Sequence, residues 1–375
     1  TPDTAPDEAP ETPAPETPAK AEKRRRTRLQ WIMFIAGIVV AAVVALAVIG
    51  VVGGRMYLLT GPGRGLVESF IQGKKISRYG RINVEGLSGD LFDDFTLRRV
   101  TITDRKGVWL EARNVRVDWS YLPLLARRFQ ADTISAEVIQ LVRRPEIDPP
   151  DGRPPSPQPI GVDIDKFSAR VELLEGFSKA YGRWNLSGDA HIPRIGNKTA
   201  TVDARSLNRP GDFLKLAATF GGKMDDLRLD LRANEAQGGP LAGAMGYSPD
   251  RPFSAIALVN GEVINAVVRT GDFTPLSVQG HYGKAGARVS GYADFSGSDL
   301  FQPFVDRIGR TARFGFAAVP ERREGYQGVA WRLFADNVET HAVGVLKMSD
   351  RSAPDGIRIE LATPNLTRLA GTTIG

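Results

Sequence analysis

The sequence predicts a mainly β protein: an antiparallel meander with a few short amphipathic helices, behind a single N-terminal transmembrane helix. Three observations predict it. Long stretches alternate apolar and polar residues with period two. Short breakers separate those stretches too closely for crossover helices. One uncharged run near the N-terminus is long enough to cross a bilayer.

Composition permits this design. Of 375 residues, 42% are hydrophobic and 25% charged, enough for a sizeable core. There is no cysteine, which excludes a disulfide framework and a thiolate metal site and fits an oxidising compartment. The net charge of +6 divides into −5 over residues 1–19, +5 over 20–54 and a mild +6 over the rest. That excess fits anionic membrane surfaces and is too small for a nucleic-acid channel.

Residues 1–30 open the chain. The stretch TPDTAPDEAPETPAPETPA cannot bury enough surface to offset chain entropy, so it reads as a disordered acidic, Pro-rich tail. Its first residue is not Met, which reads as a processed or trimmed N-terminus. The segment ends in a basic cluster, Lys23, Arg24, Arg25, Arg26 and Arg28. Residues 31–54 carry no charge, and Trp31 and Tyr57 bracket them where amphipathic rings prefer the two interfaces. The basic cluster keeps the tail cytoplasmic and exports everything that follows. The rival reading is a cleaved signal peptide, whose apolar core is normally only about 7–15 residues, shorter than this run.

Beyond the break at Thr60–Gly65, Leu66–Ile71 reads as one short helix. Residues 64–145 then form a first β unit, in which Val115, Val117 and Trp119 alternate with Arg116 and Asp118. Residues 160–375 continue in the same manner. Leu227, Leu229 and Leu231 alternate with Arg228 and Asp230, and Ile357, Ile359 and Leu361 with Arg358 and Glu360. Breakers stand at Asp104–Gly107, Phe220–Lys223, Asn260-Gly261 and Thr270–Asp272. Tyr121–Phe129 and Asp299–Arg310 read as short amphipathic helices, the second with Asp299 as N-cap and Pro303 in its first turn. The Pro-rich segment 146–159 is either a junction between two β units or a long excursion from one sheet.

No catalytic, cofactor-binding or metal-ligating set emerges, and the chain reads as a non-enzyme. His191, His281 and His341 form no ligand pair, and no nucleophile elbow, phosphate loop or dinucleotide fingerprint is present. Trp109, Trp119, Trp184 and Trp331 either fill the apolar face of a sheet or mark a ligand site on it.

One resemblance organises these features. A membrane helix leads to Val84–Gly89 (VEGLSG), Phe95–Val100 (FTLRRV), Asp104–Gly107 (DRKG), Val108–Ala112 (VWLEA), Val115–Ser120 (VRVDWS), Leu124–Arg128 (LLARR) and Ile134. In order and spacing this series, over about 80 residues, resembles the N-terminal unit of the TamB branch of the AsmA-like proteins. The resemblance implies a long sheet curled into an open trough, apolar within, on a protein anchored in the inner membrane with its bulk in the periplasm. Val100, Ile102, Leu110, Val115, Val117 and Trp119 are then candidate groove-lining residues. So are Leu227, Leu229, Leu231, Trp331, Leu333, Ile357, Ile359 and Leu361.

The implied function is passage of phospholipid between inner and outer membrane, with acyl chains in the groove. The implied alternative is assembly of outer-membrane β-barrel proteins and autotransporters by protein contact. Implied partners are the membrane, phospholipid acyl chains and an outer-membrane Omp85-type protein; no nucleic acid and no cofactor are expected. Members are usually far longer, and the region that meets the outer-membrane partner is not evident, so the chain reads as truncated at its C-terminus.

Overall fold

A computed structural model describes residues 65–369 except 66, 67, 70, 77, 149–159, 222–225, 284, 350, 351 and 366–368. The acidic tail, the membrane helix and the flanking residues Lys23, Arg24, Arg25, Arg26, Arg28, Trp31 and Tyr57 lie outside the described residues, as does most of the Pro-rich segment. No helix among the described residues is long and apolar enough to cross a membrane.

Eighteen strands make one open sheet that does not close on itself. The first five are β1 (Lys74–Lys75), β2 (Arg81–Gly89), β3 (Asp94–Asp104), β4 (Gly107–Ser120) and β5 (Arg128–Leu141). Then come β6 (Gly161–Leu173), β7 (Gly182–Ile192), β8 (Lys198–Ser206), β9 (Phe213–Phe220) and β10 (Arg228–Glu235). The run continues with β11 (Phe253–Asn260), β12 (Val263–Thr270), β13 (Phe273–Gly283) and β14 (Gly286–Asp294). It ends with β15 (Thr311–Pro320), β16 (Tyr326–Ala335), β17 (Val338–Lys347) and β18 (Ile357–Ala362). Each strand pairs with the strands before and after it in the chain.

The expectation of a purely antiparallel meander needs one correction: β5 and β6 run parallel, Arg128 facing Gly161 and Leu141 facing Leu173. The connection between them spans residues 142–160, long enough for β6 to start beside the start of β5.

The expected faces are present, with a shift that strict alternation does not foresee. Leu110 and Val115 are five residues apart, yet both are buried on one face, at 3% and 1% exposure. Asn114 between them has φ 48°, and in register with it stand Arg98 and Gly86, the latter at φ 72°. The apolar positions therefore jump by three at the same level in each strand: Val84 to Leu87, Leu97 to Val100, Ala112 to Val115 and Ala136 to Ile139. A bulge shared by four strands keeps one face apolar across the kink.

Both expected amphipathic helices are shorter than the sequence suggests. Leu122–Ala126 is a 3-10 segment ended by Arg127 at φ 55°, after which Phe129 lies fully buried in β5. Asp299–Phe301 is also 3-10, and only Gln302–Ile308 is α-helical, with Pro303 in its first turn. Asp299 is not an N-cap: Ser298 precedes the segment, and the Asp299 carboxylate pairs with Arg144 and Lys179 instead. Calling Glu175–Ser178 α1, Pro240–Ala244 α2 and Gln302–Ile308 α3, one short helix follows every fourth strand, after β6, β10 and β14.

Candidate functional site

The candidate site is the apolar face of the sheet, built from residues that stand opposite one another on successive strands. One row begins with Leu87, Leu97, Val115, Ala136 and Ala169 on β2–β6. It passes through Leu186, Ala204, Leu214, Ala233 and Ala255 on β7–β11. It ends with Val268, Leu276, Ala293, Ala312, Ala335 and Val338 on β12–β17. Every position is Leu, Val or Ala. At about 4.8 Å between neighbouring strands, such a row extends on the order of 70–80 Å.

The residues expected to line a groove stand in this row and its neighbours, except Leu227, which precedes β10. Val117 shares a row with Leu231, Leu333 and Leu361, in which the one polar side chain is Thr340. Trp119 shares the next with Leu229, Trp331 and Ile359, and no polar side chain interrupts it. Ile357 lies in a shorter row with Ala318 and Tyr282, whose hydroxyl donates to the Leu227 carbonyl at 3.0 Å. Val100, Ile102 and Leu110 lie on the same face of β3 and β4, and all three are buried.

Burial changes along the sheet. At the β2–β6 end Val117 is 0% and Trp119 1% exposed; midway Leu229 is 6%; at the far end Trp331 is 40% and Ile359 68% exposed. The four tryptophans divide accordingly. Trp109 and Trp119 are core residues whose indole N–H groups donate to the Tyr79 and Leu91 carbonyls at 2.8 and 3.2 Å. Trp119 also stacks on Phe129 at 5.4 Å. Trp184 is buried, whereas Trp331 stands half-open on the apolar face, its N–H donating to Thr340.

The opposite face carries the charges. Arg99 and Arg113 bracket Glu111, Arg116 pairs with Asp94, and Arg205 and Lys215 share Asp203. His191 and Arg128 share Asp163. The hydrogen bond to Asp163 raises the His191 pKa above its usual value. Asp163, Asp165 and His191 bring one ligand atom each within 4.8 Å. Arg128 already pairs with Asp163 in that group, which makes it a surface ion-pair network. The three histidines stand on β7, β13 and β17 and are not brought together.

Three features were not legible as site residues. First, α2 closes over one end of the apolar face, Ala242 and Tyr247 packing on Ala233, Phe253 and Ala255. There Glu235, 1% exposed, accepts from the Leu241 and Ala242 N–H groups at 2.7 and 2.9 Å. Burial outweighs those bonds and pushes its carboxyl up to about 7. Second, Arg144 ties the helices together, donating to the Phe177 and Gly243 carbonyls and to Asp299.

Third, the two sheet edges differ. The backbone N–H groups of Val84 and Leu87 on β2 donate to the side chains of Gln72 and Glu68 at 3.2 and 2.6 Å. β18 has all six residues exposed, and no strand among the described residues pairs with its far side. No protein-family model, curated protein or solved structure matches the chain.

Proposed function

We propose that the chain is an inner-membrane-anchored periplasmic protein of the TamB/AsmA-like type, which carries phospholipid between inner and outer membrane along an apolar β groove. The observation that carries the reading is the set of parallel apolar rows, uncharged from β3 to β17. An acyl chain moving along them meets no ionised group and no strand end. Each CH2 sheltered there is worth about 0.8 kcal/mol relative to water. The face is covered at the β2–β6 end, where Val117 is 0% exposed, and opens toward β18, where exposure rises to 68% at Ile359; an open apolar face of that kind marks a binding surface. The membrane anchor, the trough and the outer-membrane partner belong to the same proposal; the resemblance over residues 66–144 supports them.

Site-specific photocrosslinking in cells tests it. Phospholipid adducts are expected with a photoreactive residue at Leu231, Trp331 or Ile359 and not at Arg232, Arg332 or Arg358 on the opposite face. Equal labelling of both sets, or none at either, would sink the conduit. A second reading has its own support in the unguarded β18: an edge of that kind accepts an incoming strand by backbone pairing, as assembly of outer-membrane barrel proteins requires. Protein adducts confined to β18 would favour it.

A further inference from the structure

At the guarded end of the sheet lies a cavity of about 270 Å³ whose lining is mostly ionic. Lys75, Arg78, Arg81 and Arg105 face Asp104, Glu146 and Asp148 across it. Asp104 is already taken, because its carboxylate accepts from Arg143. Four bases are therefore left with two carboxylates, both on the strand-less segment that follows β5. Asp148 occupies the centre. Its carboxylate meets Lys75 at 3.3 Å and Arg105 at 3.0 Å, and its carbonyl accepts from Arg78 at 2.6 Å.

The cavity lies at the end of the strands, beside the apolar face. Arg81 pairs with Thr103 next to the Ile82–Ile102 pair, so alternation turns their side chains away from the two isoleucines, which are buried on the apolar face. An anion in the cavity would thus sit at the strand ends, round the edge of the sheet from the buried isoleucines.

We propose that Lys75, Arg78, Arg81 and Arg105 form a recognition site for a phosphate monoester or diester group, in which Asp148 is a built-in competitor. The assignment of that phosphate to a lipid head group rests on the groove reading above. Converging guanidinium and ammonium donors match the several oxygens of a phosphate better than they match one carboxylate. A carboxylate on the strand-less segment after β5 supplies the charge in the ligand's absence and lowers apparent affinity by the fraction of time it occupies the site. Acyl chains of a bound lipid would pass round the strand ends to reach the apolar face while the head group stays in this partly open mouth.

The test uses the full chain in a neutral maltoside detergent. The probes are dihexanoyl phosphatidic acid, uncharged dihexanoylglycerol, glycerol 3-phosphate and inorganic phosphate, each titrated by calorimetry. Asp148→Asn is expected to tighten phosphatidic acid about threefold to tenfold by removing the competitor. Lys75→Gln with Arg105→Gln is expected to weaken it about tenfold, with dihexanoylglycerol unchanged. Because the two variants move affinity in opposite directions, a folding defect cannot imitate both. Identical affinities in all variants, or weaker binding in Asp148→Asn, would overturn the site. Inorganic phosphate or glycerol 3-phosphate binding as tightly as phosphatidic acid would overturn the lipid assignment. Tightening in Asp148→Asn without lipid adducts at Trp331 or Ile359 would leave this site standing and remove the groove.

Discussion

Arg144 donates to the carboxylate of Asp299 at 3.0 Å, joining residues 155 positions apart in a sheet where most contacts link neighbouring strands. The same guanidinium serves the Phe177 and Gly243 carbonyls, and Lys179 reaches Asp299 at 3.1 Å and the Gly246 carbonyl at 2.9 Å. Arg144→Ala takes the side-chain donor from the Phe177 carbonyl and leaves the Gly243 carbonyl only its bond from the Gly246 N–H, and is expected to cost about 2 kcal/mol. Asp299→Asn removes only a half-exposed partner and is expected to cost under about 1 kcal/mol. Denaturant midpoints of the two variants check the ordering; equal losses would mean that the ion pair, not the carbonyls, holds the rim.

Stability is expected to fall as pH rises from about 4.5 to 7, and Glu235 is the cause. Its folded pKa, about 7, lies above the ordinary carboxyl value, so the folded state holds a proton that the unfolded state has released. The slope approaches about 1.4 kcal/mol per pH unit in that window. His191, raised by its hydrogen bond to Asp163, acts with the same sign from about pH 6.5 upward, although its exposure reduces the effect. Asp104, held down to about 2, acts oppositely and withdraws stability only as pH falls below about 3.8. Urea midpoints between pH 4.5 and 7.5 should show the decline, and Glu235→Gln should flatten its lower part.

The shared bulge makes a sharper demand on residue type. A Cβ added at Gly86 would stand 2.7 Å from the Arg98 Cβ, on a backbone already at φ 72°. Gly86→Ala is expected to cost about 1–2 kcal/mol, whereas Gly107→Ala, with open space around it, bears the strain of its backbone alone. At Asn114, whose side chain donates to Glu137, a change to Val is expected to be worse than a change to Gly. Thermal midpoints of the four variants give the ranking.

Function and stability should separate along the apolar face. Val117→Ala, at 0% exposure, is expected to lose about 1–3 kcal/mol. Ile359→Asp, at 68% exposure, is expected to lose under about 0.5 kcal/mol while strongly reducing lipid adducts at neighbouring Trp331. Undiminished adducts in Ile359→Asp would show that a charge in the row is no barrier.

Much of this face was legible because alternation is a local property. Leu229 and Leu231, or Ile357 and Ile359, declare their common side within a few residues. What alternation cannot express is a shift such as that at Asn114, where an ordinary residue takes φ 48° because three neighbouring strands bulge at the same level. Nor does local pattern reveal direction: β6 alternates like any other strand, and only the length of the preceding connection makes it parallel to β5. Nothing in the local sequence distinguishes Glu235 from a solvated acid at a strand end. Its burial depends on α2 folding back over it, a contact that no period records. The basic cavity was hidden in the same way, since its members come from β1, the β1–β2 turn, β2, the β3–β4 turn and the segment after β5.

The two sides of the described sheet differ physically at β2 and β18. Glu68 and Gln72 occupy donors of β2, whereas no described strand covers the far side of β18. With each strand resting on its predecessor in the chain, ordering can advance from β2 toward β18, every new strand finding its template already in place. Such an architecture has no mandatory length. Strands can be added four at a time, each set bringing its own short helix, without altering the pairing of those already present.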